Sequence, residues 1–106
     1  KLDNLTVCID NNGLQIDGRN DDVMSLGDLA GKLRAFGFHT IELADGNDLE
    51  AVLAALDEAV EPGKPKAILA HTVKGKGVSY MENQAGWHGK APNEEQRAQA
   101  LKELEG

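Results

Sequence analysis

Three short segments of the chain contain residue types that could bind a ligand or act on one. The first segment, Asp10–Gly18, reads DNNGLQIDG. Amide and carbonyl oxygens are hard ligands that suit Mg²⁺ or Ca²⁺, and Mg²⁺ usually completes its shell with phosphate oxygens and water. Asn12 and the backbone carbonyl of Leu14 could therefore supply one side of a metal site. Because Asn, Asp and Gly also favour turns, spacing alone leaves an ordinary turn as the alternative.

The second segment, His71–Gly77, reads HTVKGKG and places Lys74 and Lys76 among glycines. Two cations in such a loop could hold a phosphate group. The spacing differs from that of a P-loop, and the chain has no Gly-rich fingerprint between a strand and a helix, which argues against a nucleotide-binding domain. A solvated basic turn is the alternative interpretation of this segment.

The third segment, Gly86–Pro92, reads GWHGKAP and contains His88. A histidine can donate, accept or transfer protons near neutral pH, although a single loop histidine is more often exposed and without a role. The neighbouring Gly and Trp favour a functional role slightly. We expect His39, at the start of a strand, to be structural. The chain shows neither a Ser–His–Asp order nor a pair of histidines at helical metal-ligand spacing.

Apolar strand patterns alternate with helical patterns over most of the chain. The predicted strands are Leu5–Ile9, Thr40–Leu43 and Ala67–Ala70. The predicted helix N-caps are Ser25, Asp48 and Asn93, and Gly37 is the predicted C-terminal cap of the first helix. This alternation predicts an α/β fold, in which a parallel sheet with right-handed crossovers has flanking helices.

Leucines and other large apolar residues mark one face of each predicted helix. The expected faces are Leu26, Leu29, Leu33 and Phe36 in the first helix, Leu49, Val52, Leu53 and Leu56 in the second, and Ala98, Leu101 and Leu104 in the third. A continuous apolar stripe of this kind normally packs against the core.

Two of the loops should meet at one edge of the sheet. Asp10–Gly18 and Thr72–Pro92 each follow the carboxyl end of a predicted strand. A loop of about twenty residues without regular structure tends to be functional or disordered. In open α/β sheets, ligands gather at the carboxyl ends of the strands. We therefore expect both loops on the same rim.

Composition restricts the class of partner. The chain has 106 residues and a net charge of −7, which argues against a nucleic-acid partner because phosphate binding needs a basic surface. The acidic net charge suits a soluble, cytoplasmic protein. No apolar stretch approaches the roughly 20 residues that span a bilayer, so we expect no membrane partner. The single cysteine, Cys8, lies in an apolar run and should be a buried, inert thiol.

In this order, the three segments resemble the transketolase family of thiamine-diphosphate enzymes, and the resemblance runs over the whole chain. DNNGLQIDG resembles the end of the thiamine-diphosphate motif, which in the family begins with Gly-Asp-Gly and closes on Asn. KGKG followed by WHGK resembles a later active-site stretch of the family. The motifs resemble most the N-terminal subunit of split bacterial transketolases. Trp87-His88-Gly89 favours transketolase over deoxyxylulose-phosphate synthase or a 2-oxoacid dehydrogenase.

The resemblance implies roles for individual residues. Asn12 would bind Mg²⁺ (or Ca²⁺) through its side-chain oxygen and Leu14 through its carbonyl, and the metal would anchor the diphosphate of thiamine diphosphate. Ile16 would pack near the cofactor, and Lys74 would reach the cofactor and substrate region. His88 would bind both cofactor and sugar and would be the catalytic residue. Lys90, near the same rim, is a weaker candidate for the site.

The resemblance also implies an activity and partners. The family transfers a two-carbon ketol unit from a ketose phosphate to an aldose phosphate, as in the pentose phosphate pathway. The expected partners are sugar phosphates, a second copy of the chain, and either a C-terminal subunit or the remaining transketolase segments.

The chain departs from the family pattern in two ways. No Gly-Asp-Gly precedes Asn12, and nothing corresponds to the second domain whose Glu activates the cofactor. We therefore expect residues 1–106 to be the C-terminal part of an incomplete diphosphate-binding domain that is inactive alone and exposes apolar surface beside its first strand. The alternative is a noncatalytic α/β module. A Gly-Asp-Gly encoded upstream of Lys1 would favour the truncated enzyme.

Overall fold

All 106 residues, Lys1–Gly106, are described by a computed structural model. The strands are β1 (Thr6–Asn11), β2 (Leu14–Gln15), β3 (Gly18–Arg19), β4 (His39–Leu43) and β5 (Lys66–His71). The helices are α1 (Asn20–Val23), α2 (Leu29–Ala35), α3 (Leu49–Asp57) and α4 (Glu94–Leu104), and a 3₁₀ turn spans Ala85–Trp87.

Three parallel strands form the central sheet, in the order β1–β5–β4. The chain passes from β1 to β4 and then returns to β5, so its two crossovers run in opposite directions across the sheet. Right-handed crossovers therefore place α2 and α3 on opposite faces. The central strand, covered on both sides, contains the consecutive buried residues Ala67, Ile68 and Leu69. The predicted parallel sheet with flanking helices is confirmed.

Local sequence signals fix most of the helix ends. The Asp48 carboxylate accepts from the backbone N–H groups of Glu50 and Ala51, and Asn93 and Gln96 form a reciprocal capping box, as the sequence predicted for these two caps. Gly37, at φ +87°, follows the end of α2 in the left-handed conformation that favours glycine. Each of these capping residues acts within about one turn of the helix end that it caps.

The predicted start of the first long helix is wrong. Asp28, rather than Ser25, caps α2 by accepting from the backbone N–H of Gly31 at 2.8 Å. The Ser25 hydroxyl instead donates to Asp21 and accepts from the N–H of Gly27. Because Gly27 is left-handed at φ +56°, it separates Ser25 from the helix.

The apolar helix faces are much more exposed than the sequence pattern implied. The exposed large apolar residues include Ile16, Met24, Phe36, Leu49, Leu53, Leu56, Leu101 and Leu104. The accessible surface is 7346 Å², whereas a compact monomer of 11.3 kDa would expose about 5,700 Å². The radius of gyration is 16.5 Å, against about 13 Å for a compact domain of this length. Apolar surface is exposed, as expected, but most of it lies on the helices and loops rather than on the first strand.

Cys8 is exposed, so the prediction of a buried thiol is wrong. The cause is the position of β1, which pairs with β5 on one side and forms an edge of the sheet on the other. Alternate residues of β1 point to opposite faces, and the face that carries Thr6, Cys8 and Asp10 is exposed.

None of the helices has both the length and the apolar character needed to cross a bilayer.

Helix α4 packs on the long loop, residues 72–92, through polar contacts. The Tyr80 hydroxyl donates to the carbonyl of Gln96 at 2.7 Å, and the N–H and hydroxyl of Ser79 both donate to the Glu103 carboxylate. The half-buried side of α4 is therefore Gln96, Ala100 and Glu103. The predicted contact face of Ala98, Leu101 and Leu104 is wrong, because all three are exposed.

Lys66 closes the C-terminal end of α3 from the neighbouring strand. This lysine is buried, with only 3% of its surface exposed, and its Nζ donates to the carbonyls of Ala55 at 2.9 Å and Leu56 at 2.7 Å. Helix α3 has no basic residue in its own last turn. The ammonium therefore satisfies two otherwise free carbonyls and complements the negative end of the helix dipole.

Replacing Lys66 should destabilise the fold. Lys66→Met removes the donor for two carbonyls at the end of α3, and we expect the free energy of unfolding to fall by about 1–3 kcal/mol. Urea denaturation followed by circular dichroism measures the change. The matched control is Lys102→Met on the exposed side of α4, which should change stability by no more than about 0.5 kcal/mol. A Lys66→Met variant as stable as the parent chain would contradict this interpretation.

The contact between Ser79 and Glu103 should depend on pH. Hydrogen bonds from the Gln99 side chain, then from the Ser79 N–H and hydroxyl, hold the pKa of Glu103 below its usual value of 4.5. A depressed carboxyl pKa gives stability that is present above 4.5 and is lost as the pH falls through the lower pKa of the folded state. We expect the Ser79 amide resonance to shift in that acidic range. Glu103→Gln should abolish the shift, and the control Glu105→Gln should retain it.

Candidate functional site

The end of β1 leads directly into a small hairpin. Strands β2 and β3 pair antiparallel, with Leu14 opposite Arg19 and Gln15 opposite Gly18. The Asn12 side-chain oxygen accepts from the backbone N–H of Leu14 at 3.0 Å. This bond forms the kind of local turn that Asn favours, and it fixes the direction of the amide side chain.

The long loop begins at the end of β5 and folds back on itself through a series of turns. The N–H of Asn83 donates to the carbonyl of Lys74 at 2.9 Å, which holds the backbone of this lysine. Gly75 has φ +72°, and a Cβ at this position would lie 2.7 Å from the Met81 side chain. Glycine is therefore required beside Lys74 for both backbone conformation and space.

Aromatic contacts support the part of the loop that carries His88. The rings of Tyr80 and Trp87 lie 5.3 Å apart, and the Trp87 indole N–H donates to the carbonyl of Tyr80 at 2.9 Å. The ammonium of Lys90 lies 4.5 Å from the centre of the Trp87 ring. This cation–π contact supports the loop.

The hairpin and the long loop meet around one cavity of about 240 Å³. The residues that line it are Asn12, Leu14, Gln15, Ile16, Lys74, Ala85 and His88. The structure thus brings all five sequence-predicted site residues together, at the carboxyl ends of β1 and β5. Their individual roles stay predictions. Lys90, the weaker candidate, is not among the lining residues.

Two lining residues, Gln15 and Ala85, were not among the sequence-predicted site residues. The Gln15 side chain donates to the carbonyl of Met24 at 2.9 Å, which ties the hairpin to the end of α1. Ala85 begins the 3₁₀ turn that leads to Trp87. Alanine has no distinctive chemistry, and the Gln15 amide nitrogen is already bonded to a backbone carbonyl. The only sequence signal for Gln15 is its place between Leu14 and Ile16.

His39 and Cys8 do not contribute to this cavity. The His39 ring lies at the opposite end of the sheet, where it contacts the carboxylates of Glu58 at 2.9 Å and Glu61 at 3.6 Å. Lys64, and to a smaller degree His39, hold the pKa of Glu61 below its usual value. This ionic cluster ties the start of β4 to the segment after α3, a structural role.

The lining offers neutral oxygens and one cation, with no carboxylate. No group of three or more His, Cys, Asp or Glu side chains in the chain is arranged to hold a metal ion. An amide oxygen has two lone pairs, so the bond from the Leu14 N–H leaves one on Asn12. A free lone pair on an amide oxygen and a backbone carbonyl such as that of Leu14 are donor types that suit Mg²⁺ or Ca²⁺, with anionic phosphate oxygens supplying the negative charge.

Comparison with known proteins identifies the family. The family model for the transketolase thiamine diphosphate binding domain matches residues 1–106. The chain is 41% identical over 105 residues to one subunit of the apulose-4-phosphate transketolase of Phocaeicola vulgatus, covering 98% of this chain and 37% of that protein.

Other relatives include another transketolase subunit and a protein named simply transketolase. The chain is 38% identical over 106 residues to the 6-deoxy-6-sulfo-D-fructose transketolase subunit SqwG of Clostridium sp., covering 99% of this chain and 38% of that protein. It is 36% identical over 107 residues to mouse transketolase, covering 98% of this chain and 16% of that enzyme. The chain therefore spans well under half the length of these relatives. It belongs to the transketolase family, within that family's thiamine diphosphate binding domain.

Proposed function

We propose that residues 1–106 are the C-terminal part of a diphosphate-binding domain, and that this part helps a transketolase hold thiamine diphosphate and Mg²⁺. The complete enzyme would transfer a two-carbon ketol unit from a ketose phosphate to an aldose phosphate in the cytoplasm. The observation that carries the proposal is the convergence of Asn12, Leu14, Ile16, Lys74 and His88 on one cavity. These are the residues to which the motifs assign cofactor contacts.

Asn12 and Leu14 would bind the metal from the protein side. Both ligands are neutral, so they leave the full charge of the cation available to a diphosphate. A net charge of −7 makes such neutralisation necessary, because a bare diphosphate would be repelled by the chain as a whole. Mg²⁺ commonly binds through few protein ligands together with substrate phosphates, which suits this sparse donor set.

Lys74 and Ile16 would complete the cofactor site. Lys74 is the one full positive charge among the lining residues, and its half-buried position would strengthen its attraction to a phosphate or to a substrate anion. Ile16 is 70% exposed at the tip of the hairpin, where an apolar part of the cofactor could cover it. Covering an exposed apolar side chain of this size contributes about 1.5–3 kcal/mol.

His88 would be the catalytic residue. When bound, thiamine diphosphate supplies the electron sink for making and breaking the carbon–carbon bond. The His88 imidazole, at the rim of the cavity, could hydrogen-bond a sugar oxygen and hold or transfer its proton. The contacts of Trp87 stabilise the loop that carries His88. The His88 ring therefore extends from a turn whose backbone conformation is fixed.

Further protein segments would complete the site. Three of the relatives are named as transketolase subunits, and this chain covers only 37% or 38% of the length of each. The missing carboxylate ligand and the cofactor-activating Glu would come from those further segments or from a separate partner chain. The exposed apolar surface fits such an assembly, because contiguous exposed apolar patches mark interaction sites. We infer that the enzyme is a homo-oligomer and that residues 1–106 are inactive alone.

A noncatalytic α/β module is the second candidate. The specific observation in its favour is that no carboxylate lines the cavity. Such a module would retain the fold and the exposed surfaces but would not bind the cofactor in a metal-dependent way.

Removing the Asn12 amide should weaken cofactor binding in the complete enzyme. Asn12→Ala should raise the apparent dissociation constant for thiamine diphosphate at fixed Mg²⁺ by at least about tenfold, since even outer-shell partners of a metal contribute that much. His88→Ala should instead lower kcat by about 10²-fold or more, as expected for a group that transfers protons. Calorimetry measures the first effect, and turnover of a ketose phosphate with an aldose phosphate measures the second.

The matched control is Asn4→Ala, which removes an exposed amide at the opposite end of β1 and should change neither quantity. Binding of thiamine diphosphate that is independent of both Mg²⁺ and Asn12 would contradict the proposed metal site. A parent enzyme that binds no thiamine diphosphate would favour the noncatalytic module.

Residues 1–106 expressed alone should self-associate. The chain exposes about 1,600 Å² more surface than a compact monomer of its mass, an area comparable to a standard protein–protein interface. Sedimentation velocity should show dimers or larger species whose proportion rises with concentration. Phe36→Ser, at a residue 82% exposed, should lower that proportion, whereas Glu95→Ser on the exposed side of α4 should not. A strictly monomeric profile at high concentration would contradict the expectation.

A further inference from the structure

We propose that His71 is a positioning residue for the metal-binding turn, acting through Asn11. The inference rests on the proposed function of Asn12 and Leu14. His71 is the last residue of β5 and lies outside the cavity lining, so it would not touch the cofactor. Its effect would pass through the residue that immediately precedes Asn12.

The strand register places His71 and Asn11 side by side. They are direct partners at the carboxyl ends of β5 and β1. The Asn11 amide nitrogen lies 3.3 Å from Nδ1 of His71. Because an amide nitrogen can only donate, Nδ1 accepts this bond and Nε2 carries the ring proton. That N–H faces the Glu42 carboxylate on the other neighbouring strand, at 4.0 Å.

The His71 ring thus contacts Asn11 on β1 and lies near Glu42 on β4, at the ends of the strands on either side of β5. Its backbone carbonyl accepts from the N–H of Gly46 at 2.7 Å, which fixes the end of β5 to the loop after β4. The ring therefore extends from the central strand of the sheet, whereas Asn11 lies on an edge strand.

The end of β1 depends on such attachments because β1 is an edge strand. Its only sheet neighbour is β5. Thr72 adds two further ties, since its N–H donates to the Asn11 carbonyl at 3.4 Å and its hydroxyl donates to Asp10. All of these bonds end one or two residues before Asn12. Without the His71 bond, the Asn11 side chain and the turn that follows would sample more orientations.

The expected effect is moderate because the bond is partly exposed. The His71 side chain is 43% exposed, and Asn11 is half-buried. Hydrogen bonds at partly exposed positions contribute a modest net free energy. That free energy corresponds to a roughly three- to tenfold change in the binding constant. Loss of His71 should therefore raise the apparent dissociation constant for Mg²⁺ about three- to tenfold, a smaller loss than expected for Asn12→Ala.

The test uses the complete enzyme with saturating thiamine diphosphate and titration of Mg²⁺ by calorimetry. The variants are His71→Ala, which removes the acceptor, and His71→Asn, whose amide oxygen can accept near the former position of Nδ1. The control is His39→Ala, which removes a histidine with two carboxylate contacts at the other end of the sheet. The measured quantities are the apparent dissociation constant and the number of sites. A purely structural loss would lower only the number of sites.

The proposal predicts a weaker Mg²⁺ constant for His71→Ala, a constant near that of the parent enzyme for His71→Asn, and no change for His39→Ala. Parent-like Mg²⁺ affinity in His71→Ala would overturn it. So would a His71→Asn variant as weak as His71→Ala. Both outcomes leave the proposed function intact, because the parent enzyme still binds. A parent enzyme without Mg²⁺-dependent binding would overturn the proposed function and this inference together.

Discussion

The parallel pairing of β1 with β5 is the interaction on which the rest of the structure depends. It sets Asn11 beside His71, and so brings the two loops that follow these residues to one point. Asn12 and Lys74 are more than sixty positions apart in the chain, yet both line the same cavity. A shift of the register by one residue would turn the side chains of β1 to the other face of the sheet and would separate them. The cavity therefore exists because of backbone pairing, before any side-chain contact.

The features that could be predicted from the sequence are those with a local cause. Asp48 and Asn93 cap their helices through bonds to residues two or three positions away, and Gly37 supplies a left-handed backbone that other residues resist. The residues that line the cavity could be named because three motifs in a fixed order resemble one family, although each motif alone also fits a turn. Their shared rim followed from the rule that parallel strands end on the same side.

The features that could not be predicted depend on what lies next to each element. Cys8 belongs to an apolar run, but only the strand order reveals that it stands on an edge strand. Periodicity identified the leucines of α3, but it does not say what covers them, and Leu49 remains 70% exposed. The bond between Asn11 and His71 joins residues sixty positions apart, and no spacing rule connects them. A polar side of α4 packs on the loop because Ser79 and Tyr80 offer donors there.

The exposed surface and the sparse donor set have a common explanation. A site with neutral protein ligands needs other groups to supply negative charge, and a sheet with an uncovered edge needs other segments to cover it. Both needs are met if residues 1–106 work inside a larger transketolase assembly. The family assignment and the limited share of each relative that the chain covers agree with this picture.

The most direct test of the metal site is a crystal structure of the complete enzyme with thiamine diphosphate and Ca²⁺, whose anomalous scattering marks the ion. If the proposed site is correct, the ion lies about 2.3–2.6 Å from both the Asn12 side-chain oxygen and the Leu14 carbonyl oxygen, and also contacts the diphosphate. An ion bound elsewhere, or a diphosphate held without contact to these two atoms, would contradict it.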